Sequence, residues 1–425
     1  MKIGIIIGRI GDVDGAALET EKWISILKEM GHEIFILSGR FKKSIIGKDK
    51  ETLLPGLSFF SPECEWEQNR SFFFPPDEPS ELLEHLHRVS DGFAIKMFTW
   101  VMQNKIDVIL SENASSLPCH LTMGMAIRKL VENTGKPIIC HDHDFSWERG
   151  NRYKTPFEEV EKIIKSTFPL QIPHAKHAVI NKHARTTLKE KYNINAFVVP
   201  NVMDFDQPYG EMDDYNKDLL KSIGLDENDI PLFQVTRIVE RKGIETALEL
   251  IDRLDDKHVK LVITGSAADD DRKGYYRELI NIINDRKLKN RVIFAHHRIL
   301  NHRDLTPDKK KVYSLSDAYA HATASTYFST YEGFGNAFVE TILGKTPIFV
   351  NNYKPVFWPD IGSKGFKIVM IEDSMLTDKA VTEIDKIVHD KQLQKEIADY
   401  NFNLGKLLFS YEVLREKLEV LFGNF

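Results

Sequence analysis

The chain has 425 residues, with 57 Lys and Arg against 63 Asp and Glu and a net charge of −6. That length exceeds one ordinary core, so two domains are expected, and the mildly acidic balance excludes a nucleic-acid binder that works through a basic footprint. Cys64, Cys119 and Cys140 are too few and too odd in number for a disulfide framework, and no apolar run approaches the roughly 20 residues of a membrane span, so a cytoplasmic protein is expected.

Lys2 to Ile7 is a continuous apolar run, the pattern of a strand buried on both faces in a parallel sheet. The loop Gly8-Arg9-Ile10-Gly11-Asp12-Val13-Asp14-Gly15 follows, then a helix from Ala16 to Met30 ended by Gly31, then a strand from His32 to Leu37. A dinucleotide fingerprint needs Gly-x-Gly-x-x-Gly in this loop and an acid at the end of the second strand. Here the spacing is Gly8-x-x-Gly11-x-x-x-Gly15 and the strand runs into Ser38-Gly39, which argues against a dehydrogenase. Gly11 and Gly15 are candidates for close backbone approach to a ligand; a plain strand-to-helix turn is the other reading.

Pro55 to Pro79 reads as irregular: an edge strand and loop, or a surface for a ligand or second subunit, so a homo-oligomer stays open. Glu81 to Asn104 has helical periodicity, Asp107 to Leu110 is a buried strand, Leu121 to Asn133 a helix and Lys136 to Cys140 a strand. Ligands of open α/β sheets bind beyond the carboxyl ends of strands. This strand delivers His141-Asp142-His143-Asp144-Phe145-Ser146-Trp147-Glu148-Arg149 to such a place. Alternation puts His141 and His143 on one face and the aspartates on the other. Split that way, the four make a poor cation cage; a divalent cation is left open but not expected for chemistry. Arg149 and Arg152 stand three apart and suit a carboxylate or phosphate, while Trp147 can pack on a sugar face. A surface loop with solvated arginines is the alternative.

His177 to Asn181 reads as a strand and Lys182 to Tyr192 as a helix; Pro200 and the polar stretch from Asp204 to Asp218 read as a boundary. The pattern then restarts. A strand, Leu232 to Val235, ends in Thr236-Arg237-Ile238-Val239-Glu240-Arg241-Lys242-Gly243 and opens a helix from Ile244 to Leu254. Arg237 and Lys242 place two fixed cations where a strand ends and a helix begins, which suits a diphosphate. Val259 to Thr264, Val292 to Ala295 and Pro347 to Val350 are further strands, Tyr275 to Arg286 is a helix, and Ser410 to Leu421 is an amphipathic helix.

About 90 residues after Lys242 stands Tyr331-Glu332-Gly333-Phe334-Gly335-Asn336-Ala337-Phe338-Val339-Glu340. Glu332 precedes a Gly-Phe-Gly turn, and Glu340 lies in the helical run Ala337 to Leu343. The turn offers unpaired N–H groups at a helix N-terminus, where anions and polar oxygens are favoured. Helix rise places Glu340 roughly 7 Å beyond the turn, too far for a dyad sharing a proton. The two carboxylates fit two grips on one extended, hydroxyl-rich, negatively charged ligand, such as a nucleotide sugar. A capping turn with two solvated acids is the alternative.

The glutamate pair resembles the motif of family 4 retaining glycosyltransferases, and Arg237 with Lys242-Gly243 is similar to the pair that binds the leaving diphosphate in that family. The resemblance is strongest from about Pro200 to Val350. It implies the α/β GT-B fold: two facing Rossmann-like domains with parallel sheets and a cleft between them. Residues 1–203 would form the acceptor side, 204–405 the nucleotide-sugar donor domain, and 406–425 a terminal helix crossing back. It implies that Glu332 sits beside the donor sugar and Glu340 holds the ribose. Gly333, Phe334, Gly335 and Asn336 would offer backbone donors to the sugar and phosphates, and the first loop, with Gly11 and Gly15, would face the donor or acceptor. Asn201 matches the family's Pro-Asn turn, although Val202 stands where the family usually has glycine. One histidine, His141 or His143, would meet the donor sugar and acceptor.

The stretch His141 to Phe145 followed by Trp147-Glu148-Arg149 is similar to one in bacterial synthases of mannosylglucosylglycerate and its 3-phospho form. That implies hexose transfer, first from GDP-mannose, to glucosylglycerate or glucosyl-3-phosphoglycerate in compatible-solute synthesis. Asp144, Trp147, Arg149 and Arg152 would meet the acceptor, with no cofactor beyond the nucleotide sugar. The rivals are UDP-glucose-dependent transfer to another sugar or lipid, a nucleotide-sugar epimerase or sugar phosphorylase of the same fold, and a nucleotide-sugar-binding regulator without turnover.

Overall fold

The computed structural model describes residues 1–12, 14–269 and 274–423. Val13 of the first loop and the last two residues of the expected terminal segment lie outside the described residues. The chain forms two compact units, Met1–Asn201 joined by the chain from Leu414 onward, and Val202–Val413.

The first unit is built on seven parallel strands: β1 Lys2–Ile7, β2 Glu33–Ser38, β3 Glu51–Leu53, β4 Val108–Glu112, β5 Ile138–Asp142, β6 Ala175–Val179 and β7 Ala196–Val198. Their order is β3-β2-β1-β4-β5-β6-β7. The apolar runs predicted as strands are the buried centre of this sheet; Ile3, Ile5, Ile6 and Ile109 are wholly inaccessible. The first crossover helix, Gly15–Glu29, starts where the Asp14 side chain accepts from the Ala17 N–H at 3.1 Å. The order reverses between β1 and β4, so the carboxyl ends of β4 and β5 lie next to a topological switch point. The helix Tyr411–Phe422 buries Leu414, Leu418 and Leu421, pairs Arg415 with Glu29, and takes a 2.7 Å bond from Lys176 Nζ at the Leu421 carbonyl.

The stretch 55–79, read as irregular, instead holds a helix, Pro62–Gln68, that runs into a wide turn over Asn69–Phe73. The Ser61 side chain accepts from the Cys64 N–H and Pro62 occupies the first turn, so the start signal was local and strong. The edge strand lies earlier, at β3. A further unforeseen helix, Glu158–Thr167, lies between β5 and β6.

The second unit has six parallel strands: β8 Ile230–Gln234, β9 Val259–Ile263, β10 Val292–Phe294, β14 Ala324–Tyr327, β15 Ile348–Asn351 and β16 Val369–Ile371, in the order β10-β9-β8-β14-β15-β16. Between β10 and β14 a small sheet is inserted, from β11 Ile299–Leu300, β12 Asp304–Leu305 and β13 Lys311–Ser314. Here the switch point falls between β8 and β14, paired through Ala324 to Leu232 and Ser325 to Phe233. The chain then closes on two helices, Asp378–His389 and Lys391–Phe409. The second runs past the boundary expected at residue 405: Phe409 packs against Phe334 and Phe366, and its carbonyl accepts from the Met203 N–H. Among the described residues no helix is long and apolar enough to cross a membrane.

Candidate active site

Adjacent strands bring the two predicted motifs of the second unit together. After β8 the chain makes a short 3-10 turn, Glu240–Lys242, before the helix Ile244–Leu254. Buried Gln234 fixes that turn, donating to the Lys242 carbonyl at 3.1 Å while its own carbonyl accepts from Thr326 at 2.6 Å. The loop after β14 carries Glu332. Lys242 pairs with Glu332 Oε1, and Arg241 donates to Glu332 Oε2 at 2.9 Å and to the Tyr331 carbonyl at 3.0 Å. The Lys242 ammonium also lies 5.6 Å from the centre of the Tyr327 ring.

Burial alone would raise the Glu332 carboxyl, but Lys242 and Arg241 outweigh it and hold it below its usual range. Burial lowers the Lys242 ammonium, and Arg241 and Arg237 push the same way against Glu332. Arg237 is exposed and, among the described residues, has no carboxylate within ion-pair reach. Lys242 and Arg241 thus hold one carboxylate, with Arg237 near enough to act on Lys242, an electrostatic setting for an anion.

The Gly-Phe-Gly turn follows. Gly335 has φ +128°, and a Cβ there would lie 2.1 Å from the Tyr353 hydroxyl, which donates to the Phe334 carbonyl at 2.8 Å. Only glycine fits that backbone. Phe334 itself turns inward against Phe409, so it offers its backbone rather than its ring. Asn336 opens the helix Asn336–Leu343, and Glu340, on that helix, lies 3.4 Å from the Tyr319 hydroxyl. Glu332 and Glu340 have different surroundings: the first sits among cations, the second beside a tyrosine.

In the first unit, β4 and β5 end side by side with Glu112 in register with His141. His141 Nδ1 lies 3.1 and 3.0 Å from the two Glu112 oxygens, and His143 Nε2 is 3.7 Å from Oε2. The two imidazoles are on one face, 4.2 Å apart between ring centres, as alternation predicts. Trp23 stacks on His141 at 4.0 Å. Asp142, on the other face, pairs with His177 at 2.8 Å. Asn113, at φ 49°, accepts from the His143 and Asp144 N–H groups at 3.1 and 3.3 Å and pins the turn.

Burial opposes the Glu112 charge, yet the two imidazoles hold its carboxyl down at about 2. Burial lowers His141, whereas at His143 the Glu112 carboxylate overcomes burial and raises the ring. Glu112, His141 and His143 also have the donor types and closeness for a metal ion.

The remaining predicted residues are spread out. Gly11 has φ +80° and lies close enough to the Lys43 backbone that a Cβ would meet its nitrogen at 2.9 Å. Gly15 opens the helix Gly15–Glu29 with free space around its Cα. Asn201 is buried at the end of the first unit. Asp144 holds Arg149 at 2.6 Å, Arg152 lies over the Phe73 and Tyr153 rings, and Trp147 stacks on Phe145 at 4.4 Å. The sequence reading missed Arg241, Glu112 and Trp23. Arg241 stood beside a chosen residue; the other two join through sheet packing across sequence, which leaves no local signal.

The family model described as "Glycosyl transferases group 1" matches residues 216–403. The mannosylglucosylglycerate synthase of Thermotoga maritima is 30% identical over 453 residues, covering 98% of this chain and 99% of that protein. The chain belongs to the group 1 glycosyltransferases. The mannosylglucosylglycerate synthase of Petrotoga mobilis is 28% identical over 455 residues, covering 98% of this chain and all of that protein. A glycosyltransferase of Rickettsia africae ESF-5 has the same fold, with a TM-score of 0.69 at 14% identity over the whole of this chain and 98% of that one. As a glycosyltransferase of GT-B type, the chain uses a nucleotide sugar and an acceptor, and its two parallel sheets are the Rossmann-like domains of that fold.

Proposed function

We propose that this glycosyltransferase moves a mannosyl group from GDP-mannose to glucosylglycerate or its 3-phosphate, with retention of configuration. The observation that carries the reading is the similarity, over nearly the whole of both chains, to two mannosylglucosylglycerate synthases. The clustered cations Arg237, Arg241 and Lys242 support a diphosphate-bearing donor. They would stabilise the negative charge that grows on the departing oxygen as the anomeric C–O bond breaks, while the sugar takes on oxocarbenium character. The departing phosphate would accept the proton of the attacking hydroxyl on the same face, so no protein nucleophile is assigned.

Glu332, already held by Lys242 and Arg241, would meet the sugar hydroxyls. Glu340 would hold the ribose, and the backbone from Gly333 to Asn336 the phosphates and sugar. Gly11, Gly15 and Asn201 would be donor-side backbone contacts. In the first unit His141 and His143 would meet the reacting sugars and Asp144, Trp147, Arg149 and Arg152 the acceptor. Arg149 is neutralised by Asp144, so Arg152 is the better partner for an acceptor anion: among the described residues it has no carboxylate within ion-pair reach. No metal is assigned to the chemistry, and the enzyme would act in the cytoplasm.

The test is a panel of GDP-mannose, UDP-glucose and their relatives against glucosylglycerate, its phosphate, neutral disaccharides and lipid acceptors, with products separated by chromatography. Transfer from GDP-mannose to the anionic glycosides is expected. Efficient transfer only to neutral or lipid acceptors would refute the acceptor assignment.

A further inference from the structure

Among the described residues of the first unit, three buried histidines, His120, His141 and His177, hydrogen-bond a carboxylate through Nδ1, and they differ in one respect. His120 gives Nδ1 to Glu67 at 3.1 Å and has its Nε2 2.8 Å from the Gly56 carbonyl. His177 gives Nδ1 to Asp142 at 2.8 Å and has its Nε2 3.0 Å from the Leu170 carbonyl. Both rings have a partner at each nitrogen, as a structural histidine should. His141 gives Nδ1 to Glu112, but its Nε2 is buried with no hydrogen-bond partner among the described residues. This is the ring at the end of β5, beside the switch point of the sheet.

We propose that Glu112 is a positioning residue: it fixes His141 in the tautomer with the proton on Nδ1 and so presents an unprotonated Nε2 as acceptor for a hydroxyl of the sugar substrate. This rests on the reading that His141 meets substrate. An ionised carboxylate only accepts hydrogen bonds, so a neutral His141 facing both Glu112 oxygens must donate from Nδ1. Glu112 is fully buried, and no Lys or Arg lies within ion-pair reach of it among the described residues, so the imidazoles are its partners. The strand register sets the pairing. Glu112 and His141 are direct neighbours across β4 and β5, and a slip of one residue would send one side chain to the other face. Trp23, stacked on the ring, prevents it from turning over. An unfilled buried acceptor is costly unless something fills it; a substrate hydroxyl does so without a charge. A metal ion held among Glu112, His141 and His143 through His141 Nδ1, the nitrogen that faces Glu112, would displace the proton from that nitrogen. The proton would then move to Nε2, where no acceptor stands among the described residues.

The test uses the full-length enzyme with 15N-labelled histidine, the His141 signals being assigned by their loss in His141→Phe. Long-range nitrogen–proton correlations should show the Nδ1–H tautomer in the substrate-free enzyme. Glu112→Ala should shift the ring toward the Nε2–H form and lower kcat by about 100-fold, the scale of losing one preorganised hydrogen-bond contact, with the donor KM little changed. Glu112→Gln, whose amide oxygen still accepts from Nδ1–H, should keep the tautomer and restore much of kcat. A wild-type ring protonated at Nε2 would overturn the proposal. So would a Glu112→Ala enzyme that melts earlier but turns over normally. If the tautomer is as stated and His141→Ala leaves kcat unchanged, the failure lies in the underlying reading that His141 meets substrate, and the proposal falls with it.

Discussion

Lys242→Met removes one partner of a nearly buried ion pair: the Lys242 and Glu332 side chains are 11% and 10% exposed. Breaking such a pair from one side typically costs about 3–5 kcal/mol, because a desolvated charge is left behind. Arg241 still reaches Glu332 at 2.9 Å from a side chain that is 38% exposed, so a loss of about 2–3 kcal/mol is expected here. For a unit of this size each kcal/mol shifts the midpoint by about 2–4 °C, giving a fall in Tm of about 4–12 °C. Glu332→Gln should cost a similar amount by leaving Lys242 without its anion. The double variant removes both charges and should regain at least half of the summed loss, a coupling that a double-mutant cycle reads directly. Turnover should not recover: each variant, and the double, should lose about 100-fold or more in kcat, the scale of removing one preorganised electrostatic contact. Thermal melting and steady-state kinetics on the four proteins suffice. Additive losses of stability would show that the pair is not coupled, and a double variant with normal kcat would show that it is structural only.

Arg152→Ala should raise the acceptor KM by about tenfold and leave the donor KM unchanged, whereas Arg149→Ala should have the smaller effect because Asp144 already holds that side chain; initial-rate kinetics with each substrate varied would check both. Gly335→Ala should destabilise by about 2 kcal/mol or more, and adding Tyr353→Phe, which removes the hydroxyl 2.1 Å from the new Cβ, should recover part of the loss in Tm. The Glu112 carboxyl, held at about 2 against an ordinary 4.5, contributes stability that is present above pH 4.5 and lost as pH falls through about 2. Melting curves between those values should therefore fall more steeply for the wild type than for Glu112→Gln.

Local signals carried much of the fold. The bounds of β1 and of the helices Lys182–Tyr192 and Ile244–Leu254 follow from an apolar run and from helical periodicity. The helix Glu158–Thr167 was equally legible, with three glutamates in its first turn and Val160 and Ile164 buried on one face. The small sheet of β11, β12 and β13 was not legible, since strands this short have no period to read. At the candidate site, the cations after β8 and the glutamate after β14 could be paired because each sits in a recognisable turn. Glu112 could not. It ends an ordinary strand, and its meeting with a histidine 29 residues away is decided by the register of β4 against β5. Trp23 likewise reads as a core residue of an amphipathic helix, and only its stacking on His141 marks it as more.

The central claim is mannosyl transfer to an anionic glycoside with retention, and proton NMR of the purified product tests it most directly. Incubation with GDP-mannose and glucosylglycerate should release GDP and give one new α-mannosyl anomeric signal in equal amount, preserving the configuration of the donor. A β-linked product, or GDP release with free mannose and no new glycosidic bond, would contradict the account.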